Sequence, residues 1–291
     1  MIVVTAPTST IGRQLVARLL EHDEPVRVIV RDPSKLTDAV RERVEVVVGS
    51  HRDRGVLDAA LPGADALFWL MPADHSAPDI FDTYVTASIP GAEAVHRHGV
   101  ERVVIVSALG RGSGLYAGHV SASLAMEDLF RSTGVHVRAL ANPSFMDNVL
   151  RQLPSLRAGV LTGTHPADLA LPWVATRDIA EVADRLLRDR GWVGQDTVAL
   201  LGAEDISLAQ MAATLSEVLG TPIRYERGSR EEFKNTLIGY GFSYAVFCLK
   251  NDMDAAKENG LDLVVPRTPE NTTPTTFRQF AEEVIKPAFA G

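Results

Sequence analysis

The sequence lacks most features of secreted and membrane proteins. Only one of its 291 residues is a cysteine, Cys248, which excludes an internal disulfide and favours a reducing compartment. No run of eighteen apolar residues occurs, so the chain is not expected to span a membrane. No basic segment precedes the first apolar residues, which predicts that there is no signal peptide. These absences predict a cytoplasmic protein.

Positive charge and metal-site motifs are also scarce. The formal net charge is -8, which argues against direct binding to nucleic acid. The motifs H-E-x-x-H, C-x-x-C and G-x-S-x-G do not occur, and His96 and His98 stand two apart on a predicted helix, where they face different sides. No metal site is therefore expected. The hydrophobic content of 46% is sufficient for one large domain or for a domain with an appended lobe.

The first twelve residues have the pattern of a nucleotide-binding unit. Residues 1–4 form a short apolar run typical of a buried parallel strand, and helical periodicity begins at Thr10. A strand, a tight turn and a helix at the start of a chain open a dinucleotide-binding βαβ unit, in which the helix N-terminus faces a pyrophosphate. The residues predicted to hold this pyrophosphate are Thr5, Pro7, Ser9, Thr10, Ile11 and Gly12.

Strand and helix patterns alternate through the first half of the chain. Further strands are predicted at 26–30, 44–48, 64–70, 100–107 and 136–141. Helices are predicted at 53–61, at 116–132 and at 80–98, the last with a kink at Pro90. This alternation predicts an α/β fold of the Rossmann type, with a doubly wound parallel sheet. Residues 1–150 would form this domain, joined by 172–201, with Thr176 as a helix N-cap, and 151–291 would mainly form a smaller α-rich lobe that binds the substrate.

Ligands of such sheets bind outside the carboxyl ends of the strands. The turns after the strands therefore supply further candidate cofactor contacts, namely Ser50, Met71, Pro72, Ser107, Asn142 and Pro143. The turn after the second strand is the most informative, because an NAD site usually carries an acidic residue there. Here the strand is followed by Arg31, with Lys35 four positions later, and these cations would attract a 2′-phosphate. NADP(H) is the predicted cofactor, although a solvated charge pair with Asp32 is the alternative.

Several motifs in order resemble the NmrA-like, atypical short-chain dehydrogenases/reductases. Residues 5–12 stand where that family has T-G-A-T-G-x-x-G, and residues 30–35, 105–108, 126–130 and 142–148 also match. The resemblance covers nearly the whole chain and is greatest to the branch with quinone and triphenylmethane reductases. It implies a Rossmann domain that binds NADP(H), a C-terminal lobe that shapes the substrate pocket, and redox chemistry on an aromatic or carbonyl compound.

The chain departs from the family in its glycine loop. Ala6 and Ser9 occupy the first two glycine positions, and Pro7 removes one backbone donor. Ala6 costs little if its φ angle is negative. The hydroxyls of Ser9 and Thr10 are predicted to replace the lost contacts to the pyrophosphate. A reshaped but functional site is expected.

A second departure concerns proton transfer. The Tyr–Lys pair of typical members is absent, and His119 and Ser123 stand in its place. His119 is a candidate proton donor because an unperturbed imidazole pKa near 6.5 suits both states at neutral pH. Ser107 is a candidate to bind the substrate oxygen, and Tyr116 is a weaker acid candidate. The alternatives are a solvent-facing or capping role for His119 and a turn hydrogen bond for Ser107.

The family resemblance also suggests the substrate contacts. Asn142 replaces a common arginine, and Asn148 falls where the family often lines the pocket, with Phe145 and Trp173 as apolar walls or as ordinary core residues. The leading hypothesis is an NADPH-dependent reductase of a ketone or quinone on an aromatic or polycyclic small molecule. The alternatives are a non-catalytic NADP(H)-sensing regulator and an isomerase-like member. A monomer and a homodimer are both compatible with the sequence.

Overall fold

The structure is a computed structural model that describes residues 1–229 and 231–291 in full and residue 230 by its backbone. Its strands are β1 (Ile2–Thr5), β2 (Val26–Val30), β3 (Glu45–Val48), β4 (Ala66–Trp69), β5 (Arg102–Ala108), β6 (His136–Asn142), β7 (Ser144–Phe145), β8 (Val160–Gly163), β9 (Leu171–Val174), β10 (Gln195–Ala199), β11 (Asp205–Ile206) and β12 (Arg224–Arg227). Its α-helices are α1 (Thr10–Glu21), α2 (Asp38–Arg41), α3 (Arg54–Ala60), α4 (Ile80–Tyr84), α5 (Ile89–Arg97), α6 (His119–Arg131), α7 (Leu153–Arg157), α8 (Thr176–Arg188), α9 (Leu208–Leu219), α10 (Arg230–Gly239), α11 (Tyr244–Glu258), α12 (Phe277–Phe280) and α13 (Lys286–Ala290).

A seven-stranded parallel sheet organises the described chain, in the order β3-β2-β1-β4-β5-β6-β10. The chain starts in the middle of the sheet, and the direction of winding reverses between β1 and β4. A crevice opens at the carboxyl ends of the strands at such a reversal. The predicted doubly wound α/β fold is confirmed.

Helices cover both faces of the sheet because successive strand residues point to opposite sides. Val4 packs with Leu15 of α1 and Ile179 of α8 on one face. Val3 packs with Leu57 of α3 and Phe130 of α6 on the other. Helix α8 lies against α1, and β10 pairs with β6, so parts of 172–201 extend the sheet domain. Strand β9 does not, because it pairs with β7 and β11 in a separate small sheet.

Two helix predictions are wrong in detail. The single kinked helix predicted over 80–98 is instead α4, a 3-10 turn and α5, because Pro90 lies in the first turn of α5, where its missing N–H costs nothing. Thr176 is the first residue of α8 and not its N-cap. Its amide and its hydroxyl both donate to the Asp147 carboxylate, at 3.0 and 2.7 Å, which satisfies the helix start from a distant loop.

The C-terminal lobe has its own apolar core, formed by residues such as Met146, Leu161, Met211 and Phe277. Helices α10 and α11 of this lobe approach the sheet domain near α4 and α6. Among the residues that the structure describes in full, no helix is both long enough and apolar enough to cross a membrane.

Candidate functional site

The turn after β1 wraps closely around the start of α1. A Cβ atom on Gly12 would lie 2.2 Å from the carbonyl oxygen of Ala6, so this approach requires glycine. The amides of Thr10 and Ile11 precede the first intrahelical hydrogen bond of α1, from Arg13 N to Ser9 O. They lie at the positive end of the helix dipole, where amides bind anions. The turn therefore presents two backbone donors to an anion although most family glycines are missing.

Several side chains of this turn are engaged in folding, which corrects their predicted roles. Ser9 Oγ accepts from Gly12 N at 3.0 Å and donates to Ala6 O at 2.8 Å, so its proton is committed and a pyrophosphate bond from Ser9 does not fit. Thr5 Oγ1 joins β1 to β4 through the backbone of Phe68 and Leu70, and its side chain does not fit a cofactor contact.

The backbone of Ala6 does not meet the condition under which this residue would cost little. Its φ angle is 48°, in the left-handed region that favours glycine. Alanine at this position is therefore strained. Pro7 is buried beside it, whereas Thr10 is exposed at the helix start and keeps its hydroxyl at the rim of the site. The loop therefore keeps the backbone shape of a glycine-rich turn, at the cost of a strained φ angle at Ala6.

Arg31 lies exposed directly after β2, and among the described residues it has no carboxylate within 4.0 Å. The neighbouring Asp32 does not pair with Arg31. Its carboxylate accepts hydrogen bonds from the amide and the hydroxyl of Ser34, at 3.0 and 2.6 Å. The predicted alternative of a charge pair between Arg31 and Asp32 is therefore not formed. Lys35 is also exposed on this turn. The turn after β2 therefore presents the positive charges of Arg31 and Lys35, and the carboxylate of Asp32 is bonded to Ser34.

Buried polar atoms without a hydrogen-bond partner follow four strands that are consecutive in the chain, β3 to β6. Among the described side chains these include His51 Nε2 after β3, His75 Nδ1 after β4, His119 Nδ1 after β5 and Asn142 Oδ1 at the end of β6. Buried polar groups in folded proteins are almost always paired, so each exception requires an explanation. Arg27 Nε, His165 Nδ1 and Thr273 Oγ1 are also buried without a partner and lie elsewhere, so these atoms do not by themselves mark a ligand site.

His119 has an environment that alters its predicted role. It begins α6 with its ring edge-on to Tyr84, at a centroid distance of 5.2 Å. Burial, assisted by the charge of Lys250, lowers its pKa to about 4. The imidazole is therefore neutral at pH 7, and the predicted switching between two protonation states at neutral pH is wrong. A neutral ring still donates one N–H hydrogen bond.

Ser107 and Tyr116 do not fit the predicted acid–base roles either. Ser107 is buried and its hydroxyl donates to Glu127 Oε2 at 2.7 Å. The fully buried Glu127 also accepts from Arg131 Nε at 2.7 Å and lies 3.1 Å from Arg111. This network fixes α6 on β5 and holds the Ser107 proton. Tyr116 is 59% exposed, too open for a proton donor in a closed site.

Asn142 is held in one orientation by the backbone. Its Nδ2 donates to Ser107 O at 3.0 Å and to Leu140 O at 2.7 Å, which leaves Oδ1 without a partner in the crevice wall. The Asn142 amide is thus satisfied by the backbone, its Oδ1 is buried, and a contact with the cofactor stays a prediction. Pro143 follows, buried.

A cavity of about 560 Å³ lies between the start of α1 and the C-terminal lobe. It is lined by Thr10, Phe145 and Asn148, and Arg151 and Phe280 lie on the lobe side. Two of the three predicted substrate residues, Phe145 and Asn148, are therefore on one cavity wall. Trp173 is not among them, because it packs in the core of the lobe, as the alternative expected.

The remaining predicted cofactor contacts, Met71, Pro72 and Ser50, show no feature that points to a ligand. Met71 is buried, Pro72 is exposed, and Ser50 accepts a hydrogen bond from the amide of Arg52 at 3.2 Å. Sequence reasoning missed His51, His75, Arg151 and Lys250. The two histidines lie in the turns after β3 and β4, which the sequence analysis already used as a source of candidate contacts, so they could have been predicted. Nothing in the sequence indicated that Lys250, on α11, would approach the start of α6.

The residues present fit a dinucleotide. The two free amides at α1 suit a pyrophosphate, Arg31 suits a 2′-phosphate, and Asn142 Oδ1 suits the amide of a nicotinamide. His51 follows β3 with its ring edge-on to Trp69 at a centroid distance of 5.3 Å, and burial together with the charges of Arg52 and Arg31 lowers its pKa to about 4. Among the residues described in full, no group of His, Cys, Asp or Glu forms a metal site.

Comparison with known proteins agrees with this geometry. The profile of a family described as NAD(P)H-binding matches residues 8–152. The chain is 35% identical over 229 residues to the (4-alkanoyl-5-oxo-2,5-dihydrofuran-3-yl)methyl phosphate reductase of Streptomyces griseus, an alignment that covers 78% of this chain and 76% of that protein.

Two solved structures share the fold over almost the whole chain. The quinone oxidoreductase QOR2 of Escherichia coli, complexed with NADPH, has a TM-score of 0.78 at 21% identity, covering 98% of this chain and 100% of that one. The triphenylmethane reductase of Citrobacter sp., complexed with NADP(H), has a TM-score of 0.79 at 20% identity, with 98% and 100% covered.

Proposed function

This chain belongs to the NAD(P)H-binding, NmrA-like branch of the atypical short-chain dehydrogenases/reductases, and we propose that it is an NADPH-dependent reductase of a quinone or ketone on an aromatic or polycyclic small molecule. The observation that carries the proposal is the turn after β1, where the amides of Thr10 and Ile11 are free at the start of α1 and only glycine fits at position 12. Such a turn suits the pyrophosphate of a dinucleotide.

Each part of the cofactor has a matching group in the chain. The amides of Thr10 and Ile11 bind the pyrophosphate, Arg31 and Lys35 bind the 2′-phosphate, and Asn142 Oδ1 accepts from the carboxamide. When bound, NADPH supplies the hydride. Because the residue directly after β2 is Arg31, and the carboxylate of the following Asp32 is hydrogen-bonded to Ser34, NADPH is preferred over NADH.

The absence of a charged acid favours quinones over simple ketones. His119 is neutral at pH 7, Ser107 is tied to Glu127, and the Tyr–Lys pair is missing. Reduction of a simple ketone produces a strongly basic alkoxide, which needs a proton donor in the transition state. Reduction of a quinone produces a delocalised phenolate, for which a neutral N–H donor is enough. His119 Nδ1 or Nε2 provides such a donor next to the substrate oxygen.

The similarity to the Streptomyces griseus reductase supports the same substrate chemistry. The compound in its name is an unsaturated ring that bears an oxo and an alkanoyl group. Its double bond is conjugated to carbonyl groups, as in a quinone, so the negative charge after hydride transfer is also delocalised. The proposal therefore extends to conjugated carbonyl compounds as a class.

The direct test is NADPH oxidation by the purified chain with naphthoquinone, benzoquinone and acetophenone. We expect turnover with the quinones and at least about tenfold lower kcat/KM with acetophenone. NADPH binding, measured by calorimetry, is the parallel control. Tight binding without turnover of any compound would replace the proposal with the NADP(H)-sensing regulator. Absence of binding would contradict both functions.

A further inference from the structure

A series of hydrogen bonds crosses from the turn after β1 to the C-terminal lobe. Gln14 Nε2 donates to Thr10 O at 2.8 Å and to Thr176 Oγ1 at 2.9 Å. Thr176 Oγ1 in turn donates to Asp147 Oδ1 at 2.7 Å. The side chains of Gln14, Thr176 and Asp147, which we call the Asp147 bridge, therefore join the first residue of α1 to the start of α8 and to the lobe segment Met146–Gln152.

The Asp147 bridge runs along one cavity. Its three residues and Thr10 all line the 560 Å³ cavity between α1 and the lobe. Asp147 stands between Phe145 and Asn148, the two predicted substrate contacts on that wall. Thr10 carries one of the two free amides proposed to bind the pyrophosphate. The bridge thus connects a proposed cofactor contact with the proposed substrate contacts across the same cavity.

Capping of α8 accounts for only part of this arrangement. The Thr176 amide donates to Asp147 Oδ2 at 3.0 Å, and this single bond satisfies the first backbone donor of α8. Thr176 is buried, and its hydroxyl adds a second bond to the same carboxylate while it accepts from Gln14. Connected hydrogen bonds reinforce one another, so the three side chains hold each other in one geometry.

We propose that the Asp147 bridge positions the substrate wall relative to the cofactor-binding turn and so sets the distance over which hydride is transferred. This inference rests on the proposed reductase function and adds Gln14, Thr176 and Asp147 to it as positioning residues. A displacement of about 1 Å can lower the rate of a reaction by about a hundredfold. Because backbone amides hold the pyrophosphate, loss of the bridge slows hydride transfer and leaves NADPH affinity unchanged.

The test removes one hydroxyl and keeps the shape of the side chain. Thr176→Val retains the amide bond to Asp147, and Thr176→Ser restores the hydroxyl. With naphthoquinone as the substrate, we expect Thr176→Val to lower kcat about five- to tenfold and to keep the Kd for NADPH within about twofold. The primary isotope effect, measured with NADPH deuterated at the transferred position, should rise. Thr176→Ser should keep the wild-type values.

Thr162→Val is the matched control. The amide and the hydroxyl of Thr162 both donate to Gln152 Oε1, at 2.9 Å each, on a lobe strand away from the cavity. This variant loses the same kind of bond and should leave kcat, Kd and isotope effect unchanged. A fall in kcat of equal size in Thr162→Val, or an unchanged kcat in Thr176→Val, would overturn the proposal.

A second variant shows whether the side chains act together. Gln14→Met, at a partly exposed position of α1, breaks the bond to Thr176 and carries the same measurements if Thr176→Val does not fold. The double variant should lose about as much kcat as Thr176→Val alone, because both substitutions break one bridge. Additive losses, or a loss of NADPH affinity that matches the loss of kcat, would contradict the proposal.

Hydrogen exchange distinguishes this inference from the proposed function, because it requires no turnover. Saturation with NADP⁺ should slow amide exchange in residues 145–152 of the wild type and of Thr162→Val, and should slow it less in Thr176→Val. This pattern in a protein that reduces no quinone would support the bridge and contradict the reductase. Equal protection in the wild type and in Thr176→Val, or none in either, would overturn the bridge even if quinones are reduced.

Discussion

Ala6 shows how a single residue can keep the shape of a glycine loop at a cost in stability. Its φ of 48° places an L-residue where glycine is favoured by about 1–2 kcal/mol. We predict that Ala6→Gly raises the free energy of unfolding by about 0.5–1 kcal/mol, after the greater freedom of glycine in the unfolded chain is subtracted. Urea denaturation measures the change.

Ala17→Gly is the matched control for Ala6→Gly, because Ala17 lies exposed in the middle of α1. There the same substitution should lower stability by about 1 kcal/mol. Opposite signs for the two variants are expected. A loss of stability in both would mean that Ala6 is not strained.

At the scale of one side chain, we propose that Arg31 sets the preference for NADPH. We predict that Arg31→Asp weakens NADPH binding by about 2–3 kcal/mol and changes NADH binding by less than about 0.5 kcal/mol, since it replaces a charge-assisted contact to the 2′-phosphate with repulsion. Calorimetric titration with both nucleotides measures this. Arg224→Asp, on a lobe strand, is the control and should leave both affinities unchanged. Equal weakening of both nucleotides by Arg31→Asp would remove the assignment.

At the scale of elements, Glu127 couples three parts of the sheet domain. It lies fully buried on α6, accepts from Ser107 of β5 and from Arg131, and Arg131 in turn donates to Thr197 of β10 at 2.9 Å. We predict that Glu127→Gln lowers the free energy of unfolding by about 2–3 kcal/mol, because it leaves Arg131 and Arg111 without their buried anion.

The neighbouring acid provides the comparison. Asp128 is exposed and pairs with Arg111 at 2.8 Å, so Asp128→Asn should cost no more than about 0.5 kcal/mol. Chemical denaturation of both variants measures the two changes in the free energy of unfolding. Similar small effects would show that the Glu127 network does not support the sheet.

Elements were predictable where their signal is local. Period and β-branched content marked β1 to β6, and the local S-x-x-Q pattern at Ser207 forms a capping box with both of its hydrogen bonds. The start of α8 was misjudged because Asp147, 29 positions earlier in the chain, caps it. Similarly, strand order located the crevice, but no local pattern reveals that Ser107 donates to Glu127 or that α11 brings Lys250 to His119. Contacts between distant segments decide the chemistry of the site.

At the scale of the whole molecule, burial keeps three histidines that follow the sheet strands neutral. The pKa values of His51 and His119 fall to about 4, mainly because of burial, and that of His75 is also lowered. In the unfolded chain a histidine has a pKa near 6.5. Between these values the unfolded state binds more protons than the folded state, so stability falls as the pH falls.

The expected loss between pH 7 and pH 5 is about 2 kcal/mol for each of His51 and His119, from the difference between the two pKa values. Urea denaturation at both pH values should show it. The double variant His51→Gln and His119→Gln should flatten this dependence, whereas His96→Gln, at an exposed position of α5, should keep the wild-type slope. A wild-type stability that does not change over this range would mean that the two imidazoles are not buried as described.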